Sequence, residues 1–516
     1  MKKILILLII NLFAFQLFAS ELVIIPTKSY DETKKVFENP DLKVHFFRDD
    51  FVIATSSGEY IDDFILIDNN PWQTNTSYYL VYVDSPNNKS EYVSEVEKRA
   101  DILYDGDYYL IVRSDESKFG QLPPAKNDGM VRIFERRARL PEKQEIFNNL
   151  KITEQDAFIV ELMNEVNASY ITEDVQHLED YITRNAYAVE SQNAQDWIED
   201  QFLNLGLDVE VMDFTMPDGP ASDNVIATQI GTTYPDEYIV LGGHYDSYSY
   251  SGDAPGADDN ASGTSGVLEI ARILSEHEFD RSIIFCAFSG EEYGLYGSAA
   301  YAHRCAQQGM DILAYFNMDM IAYLEPGNSI MKSSLIYPNS AQDLADFYTQ
   351  VASVYLPDFD IAPANFTGGD SDHTSFNNNG FMGIFPFEDI DNYSPYIHTY
   401  EDVVGLSYNN EDQAVVFTQA VLASVVTMSK TESQFATSLH KEEIVIYPNP
   451  ATDKTLISIA SGKTAELIIT NISGQQVMKT PIVGSIEIEL SHLPGGMYLV
   501  HIAGIDFKET HKLLVQ

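Results

Sequence analysis

The chain has 516 residues, 45% of them apolar, and carries 78 acidic against 31 basic side chains for a formal net charge of −47. That length and apolar content suit two or three domains with sizeable cores. So negative a surface repels phosphate backbones and anionic headgroups and excludes nucleic acid and membrane surfaces as partners, while excess carboxylate is the raw material for holding divalent cations.

In chain order, MKKILILLIINLFAFQLFAS (1–20) has two lysines, an apolar segment and a small-residue end, the layout of a cleaved secretory signal peptide. The apolar part is short for a membrane span and no later run approaches the length a span requires, so no stable membrane span is expected. Residues 21–150 alternate aromatic and β-branched residues in short runs such as SYYLVYVD (77–84) and DYYLIVRSD (107–115), separated by turn residues, and predict a β-rich N-terminal domain. No catalytic constellation is visible in it, and composition leaves open an inhibitory propeptide, a folding aid or a substrate gate.

Residues 151–430 change character. NAQDWIEDQFLNLGLDVEV (193–211) sets Trp197, Ile198, Phe202 and Leu205 on one helical face, stops at Gly206 and leads into a strand. Strand and helix patterns then alternate, which predicts an α/β domain with a mostly parallel central sheet flanked by helices. A polar linker at 431–443 precedes residues 444–516, whose short strands and turns predict a small β-sandwich. The two cysteines, Cys286 and Cys305, fit equally a pair of buried thiols or one bridge.

Polar groups in the α/β domain recur at one kind of place. His244 and Asp246 follow the strand EYIVLGG, Glu291 and Glu292 follow SIIFCAF, Asp319 follows ILAYFN, and His398 comes after FMGIFPF. Ligands of open α/β sheets bind beyond the carboxyl ends of strands, so these pieces can converge on one crevice. Each alone is ordinary surface polarity in an acidic protein; together with GADDNASGTSG (256–266) at a helix entry they form a pattern. Asp258, Asp259, Asn260 and Ser262 there would also cap the helix TSGVLEIARIL, whose Val267, Ile270, Ala271 and Leu274 make a buried stripe.

The ordered motifs HYD, GADDNASG, SGEEYGLYGS, NMDM and IHT resemble those of the co-catalytic zinc aminopeptidases of the secreted leucyl-aminopeptidase type, an M28-like peptidase family. The resemblance implies a zinc exopeptidase fold in which His244, Asp259, Glu292, Asp319 and His398 hold two zinc ions, with Asp259 bridging. Glu291 would be the general base and Asp246 would orient His244. It also implies peptide substrates with a free N-terminus, with large apolar N-terminal residues preferred. Two divalent ions held by three carboxylates and two neutral imidazoles keep a charge of about +1, which lowers the pKa of a bridging water toward neutrality. Side chains at adjacent positions diverge, so Glu292 can face a metal while Glu291 faces the water. TGGDSDHTSF (367–376) adds Asp372 and His373; His373 is expected in the pocket wall, and replaces His398 as ligand if that residue lies elsewhere.

YPNPATD, NISGQQV, LPGGMYLVHI and the ending KLLVQ resemble the C-terminal sorting domain of the type IX (Por) secretion system of some Gram-negative bacteria. With the signal peptide this implies handling by that machinery, through the periplasm and across the outer membrane, to the cell surface or medium. A generic accessory β-sandwich is the alternative. For the α/β domain the alternatives are a glutaminyl cyclase-like enzyme, since these share a H-Y-D-S run, or an inactive peptidase fold serving as a surface binding protein.

Overall fold

A central sheet of eight strands organises the α/β region: β1 (Asp208–Met212), β2 (Asn224–Gln229), β3 (Tyr234–His244), β4 (Arg281–Phe288), β5 (Asp311–Asn317), β6 (Lys332–Ile336), β7 (Asp360–Ala364) and β8 (Gly383–Phe387). Their spatial order is β7-β6-β8-β5-β3-β4-β2-β1. The four central strands β8, β5, β3 and β4 run parallel, while β2 and β1 on one side and β6 against β8 on the other pair antiparallel. The sheet is therefore mixed, with a parallel centre. This computed structural model describes residues 20–56, 63–83, 89–115, 129–144, 146–150, 152–364, 370–430, 445–447, 449–452, 454–458, 464–471, 475–491, 493–504 and 508–515. The predicted signal peptide, apart from Ser20, and the predicted linker lie outside them.

Parallel neighbours need long crossovers, and helices supply them. The helices around the sheet are α1 (Ala168–Glu179), α2 (Val189–Asn204), α3 (Gly263–Leu274), α4 (Tyr296–Gln308) and α5 (Glu411–Ser429), of which α3 links β3 to β4 and α4 links β4 to β5. In α2, Ile198 and Phe202 are fully buried, and the chain turns out of the helix at Gly206 with φ of 76°. The stripe expected on α3 was too narrow: every residue of that helix except Arg272 is buried. Periodicity cannot show this, because α3 lies between the sheet and two further helices, α1 and α5. Its entry is as tightly packed, and a Cβ on Gly263 or Gly243 would run into the Met318 carbonyl oxygen.

The N-terminal segment forms two antiparallel four-stranded sheets. One is built on Glu21–Pro26 and Phe51–Ser56, the other on Thr76–Tyr82 and Tyr109–Asp115. Residues 1–155 and 159–430 make one compact unit. Within it, the Tyr79 hydroxyl meets that of Tyr296 at 2.7 Å and Arg132 Nη1 donates to the same Tyr296 oxygen at 2.7 Å.

The second unit comprises residues 156–158 and 431–516. Its three-stranded and four-stranded sheets alternate exposed and buried positions, as in Thr464–Asn471, and enclose one core that includes Ile457, Ile488, Leu467, Val500 and Ile502. That alternation is the signature of two sheets packed face to face.

Cys286 and Cys305 are both free and buried. Burial pushes the Cys305 thiol up to about 11 and that of Cys286 well above its ordinary value.

Candidate metal centre

The parallel strands end on one rim, and five chain segments meet there. His244 is the last residue of β3, Glu291 and Glu292 follow β4, Asp319 follows β5, His398 lies in the loop after β8, and Asp259 sits in the tight turn Ala257–Ser262 that enters α3. All these side chains line one cavity. His244 Nε2 lies 3.3 Å from Asp259 Oδ1, 3.5 Å from Asp319 Oδ1 and 3.9 Å from Glu291 Oε2. His398 Nε2 lies 3.2 Å from Asp259 Oδ2 and 2.9 Å from Glu292 Oε2. The Asp259 carboxylate thus faces one imidazole with each oxygen.

Ligand-type atoms of His244, Glu291 and Asp319 lie within 4.8 Å of one another, as do those of His244, Asp259 and Glu292. Asp319 Oδ1 and Glu292 Oε1 are buried acceptors without a hydrogen bond among the described residues. Buried polar atoms are ordinarily paired, and two bare carboxylate oxygens beside imidazole nitrogens form a donor set suited to a divalent cation such as zinc. The residues present therefore fit a metal.

The tautomer of His244 follows from its surroundings. Nδ1 lies 3.0 Å from the Asp246 carbonyl oxygen. A carbonyl can only accept, so Nδ1 carries a proton, and in the neutral ring that leaves the Nε2 lone pair for a metal. The Asp246 carboxylate lies 3.6 Å from Nδ1, beyond hydrogen-bond range, and instead accepts the Glu291 backbone N–H at 3.2 Å. Asp246 was expected to orient His244. It holds the ring with its carbonyl and the Glu291 backbone with its carboxylate.

The imidazoles and carboxylates of the centre shift one another's ionisation. Burial opposes ionisation of His244, but Glu291 and Asp319 outweigh it and hold the imidazole well above its ordinary pKa; Glu292 and Asp259 do the same to His398. Burial raises the Glu291 carboxyl well above the usual range and pushes Glu292 up to about 7. Asp259 is held low despite its burial by hydrogen bonds with the two imidazoles.

Neighbouring groups fix the ring of segments. Asp402 accepts the backbone N–H of Asp258 at 2.9 Å and of Asp259 at 3.1 Å. Ser371 Oγ donates to Asp319 Oδ2 at 2.7 Å and accepts from Asn317 Nδ2 at 2.8 Å. The fully buried Arg184 donates to the carbonyls of Tyr245, Pro255 and Gly256, tying the loop after β3 to the turn that carries Asp259. His373 belongs to neither ligand group; its Nε2 lies 3.7 Å from Asp370. Asp372 is buried nearby, and burial pushes its carboxyl up to about 7.

Residues 224–423 match the model of peptidase family M28. The chain carries an M28 peptidase domain. Residues 445–516 match the secretion system C-terminal sorting domain, so the M28 domain is followed by a sorting domain. Similar curated proteins include a probable zinc metalloprotease of Pyrenophora teres f. teres, 40% identical over 22% of this chain and 25% of the relative. Aminopeptidase YwaD of Bacillus subtilis is 32% identical over 33% of this chain and 36% of its own length. A probable leucine aminopeptidase of Trichophyton verrucosum is 33% identical over 36% and 52% respectively. The similarity thus spans from a quarter to about half of these relatives. Among solved structures, the LapA aminopeptidase of Legionella pneumophila superposes with a TM-score of 0.56 at 19% identity, covering 69% of this chain and 99% of that one. LapB of the same organism gives 0.54 at 23% identity, covering 69% and 100%. These likenesses establish the fold of the M28 domain and its flanking elements. No described helix is long and apolar enough to cross a membrane.

Proposed function

We propose that the protein is an exported zinc aminopeptidase that removes N-terminal residues from peptides. The observation that carries this reading is the Asp259 carboxylate set between two imidazoles, with the bare oxygens of Asp319 and Glu292 beside it. His244 and Asp319 would hold one zinc ion, Glu292 and His398 a second, and Asp259 both. When bound, zinc lowers the pKa of water and polarises the scissile carbonyl.

The chain's own residues do the rest. Glu291 accepts a proton from the attacking water and delivers it to the leaving amine as the C–N bond breaks; burial, which raises its pKa, makes its carboxylate a stronger base. Asp246 fixes the base by holding its backbone and fixes His244 through its carbonyl. The free α-amine of the peptide sits beside the carboxylates of the centre, and the burial of Asp259, Glu292 and Asp319 strengthens that attraction. Met320, Phe385, Phe387 and Ile397 give the cavity an apolar wall for the N-terminal side chain.

The sorting domain, with the signal-like segment at 1–20, supports delivery by type IX secretion to the cell surface or medium. The purified full-length protein, incubated with peptides of free and acetylated N-termini, tests the enzymatic reading. Release of the first amino acid from the free peptides alone is expected. Ammonia release from glutaminyl peptides without cleavage would replace it with the cyclase reading, and no turnover with zinc bound would leave a binding protein.

A further inference from the structure

One acid in the metal cavity belongs to neither the ligand set nor the base. Asp370 lines the same pocket as His244, Glu291 and His398, together with the apolar side chains of Met320, Phe385 and Phe387. Its side chain is only 9% exposed. Oδ1 accepts the backbone N–H of Ser371 at 3.1 Å and the Thr374 hydroxyl; Oδ2 accepts the Tyr82 hydroxyl at 2.8 Å. Arg48 Nη1 donates to that same Tyr82 oxygen at 2.6 Å, which leaves the tyrosine proton no direction but Asp370. Tyr82 ends the strand Thr76–Tyr82 and Arg48 lies in the turn just before the strand Phe51–Ser56, so the N-terminal domain aims a carboxylate of the M28 domain.

Asp370 is not simply the counter-ion of Arg48. The Tyr82 hydroxyl stands between them and relays their attraction, which helps, against burial, to raise the Arg48 pKa; the acid within direct ion-pair range of Arg48 is Asp50, at 3.5 Å. Among the described residues the one ion-pair neighbour of Asp370 is His373, 3.7 Å away, whose charged form burial disfavours. A carboxylate offers about four acceptor positions, so roughly one, on Oδ2, stays open after these three bonds. A nearly buried carboxylate with an open acceptor and no direct cation calls for one brought by a ligand.

The geometry points to Asp370 as a specificity-determining residue that receives the cationic tip of an N-terminal lysine or arginine side chain, with Tyr82 and Arg48 as its positioning residues. The inference rests on the aminopeptidase reading, in which the α-amine is already served by the carboxylates of the metal centre. That leaves Asp370 for a second positive charge on the same residue. The stem of a lysine or arginine is apolar and packs on Met320, Phe385 and Phe387 while its head reaches a carboxylate. This revises the apolar preference implied by the sequence resemblance: the wall suits the stem and Asp370 suits the tip.

The test uses the full-length zinc-loaded protein, with lysyl-, arginyl- and leucyl-p-nitroanilide as substrates and calorimetric titration with free L-lysine and L-leucine as the readout that needs no turnover. The wild type is expected to favour lysine and arginine over leucine. In Asp370→Asn the lysine-to-leucine ratio of kcat/KM should fall about 30-fold or more, as for truncation of one partner of a desolvated charge pair, with the change in KM rather than kcat and a matching loss in lysine binding. Asp370→Glu should restore part of the ratio, and Tyr82→Phe should lower it in the same sense by a smaller factor. A ratio within threefold of wild type in Asp370→Asn overturns the inference, as does an equal loss for lysine and leucine, which would assign Asp370 to the α-amine or to folding alone. If the wild type turns over none of the substrates, the aminopeptidase reading fails by itself, and the lysine and leucine titrations of wild type and Asp370→Asn still decide the role of Asp370.

Discussion

Replacing Glu291 with glutamine isolates the proton-transfer step. Glutamine keeps the size and shape of the side chain, and the bond from the residue-291 backbone N–H to Asp246 at 3.2 Å does not involve the side chain. Glu291 Oε2 lies 3.9 Å from His244 Nε2, too far to be a required hydrogen bond, so the ring keeps its orientation through the Asp246 carbonyl. The substitution also removes one of two adjacent buried acids, and repulsion by Glu292 helps to raise the Glu291 carboxyl. Stability should therefore hold or rise slightly. What is lost is the proton acceptor, worth about 10²–10⁴ in rate, or roughly 3–5 kcal/mol of barrier at 1.36 kcal/mol per decade. Steady-state kinetics on a free-amine peptide should show kcat reduced by that factor, KM within about threefold and the zinc content of the wild type. A loss of kcat below tenfold would refute the assignment of Glu291 as base, and a matching loss of zinc would make it a ligand.

Three further outcomes follow from particular contacts. Asp402→Ala removes the acceptor of the Asp258 and Asp259 amides; at about 1.5–3 kcal/mol per hydrogen bond to a charged group, thermal melts should show a marked loss of stability and zinc should leave more readily on chelation, and unchanged melting and zinc retention would contradict the bracing role. Gly263→Ala drives a methyl group into the Met318 carbonyl oxygen, so a loss of about 1–3 kcal/mol or more is expected from overpacking, and a wild-type melting temperature would contradict the close approach. His45 donates from Nδ1 to the Arg136 carbonyl at 3.1 Å and accepts the Thr55 hydroxyl at Nε2 at 2.9 Å, and burial lowers its pKa from 6.5 to about 4. The unfolded chain takes up this proton first, so the contribution of His45 is complete above pH 6.5 and is lost as pH falls toward 4, by about 3 kcal/mol in all. Denaturant midpoints of wild type and His45→Gln across that window should converge on acidification, and parallel curves would contradict it.

The positions of His244, Glu291, Glu292 and Asp319 were legible because each follows an apolar run that can only be a buried strand, and strand ends share a rim. Asp259 and His398 were harder, since a turn before a helix and a loop after a strand leave many directions open; family motifs pointed to them, and the structure brings both to the rim. The division of labour within Asp246 was not legible, because sequence does not show whether a residue uses its carboxylate or its carbonyl. Asp402 left only a faint signal, an acid four positions after His398 in IHTYED. The contribution of the N-terminal sheets was invisible: Tyr82 and Asp370 are 288 positions apart, and neither lies in a motif that names the other. Burial of α3 on nearly all faces was likewise hidden, because periodicity reports one face and not the layers stacked on it.

In the proposed enzyme two imidazoles and three carboxylates form one paired metal site. Elemental analysis of the purified full-length protein, with activity followed during chelation and zinc return, tests it most directly. About two zinc ions per chain in the wild type are expected, with fewer than one in Asp259→Ala and activity that returns with added zinc. Full activity in protein stripped of zinc, or an Asp259→Ala variant that keeps both ions, would contradict it.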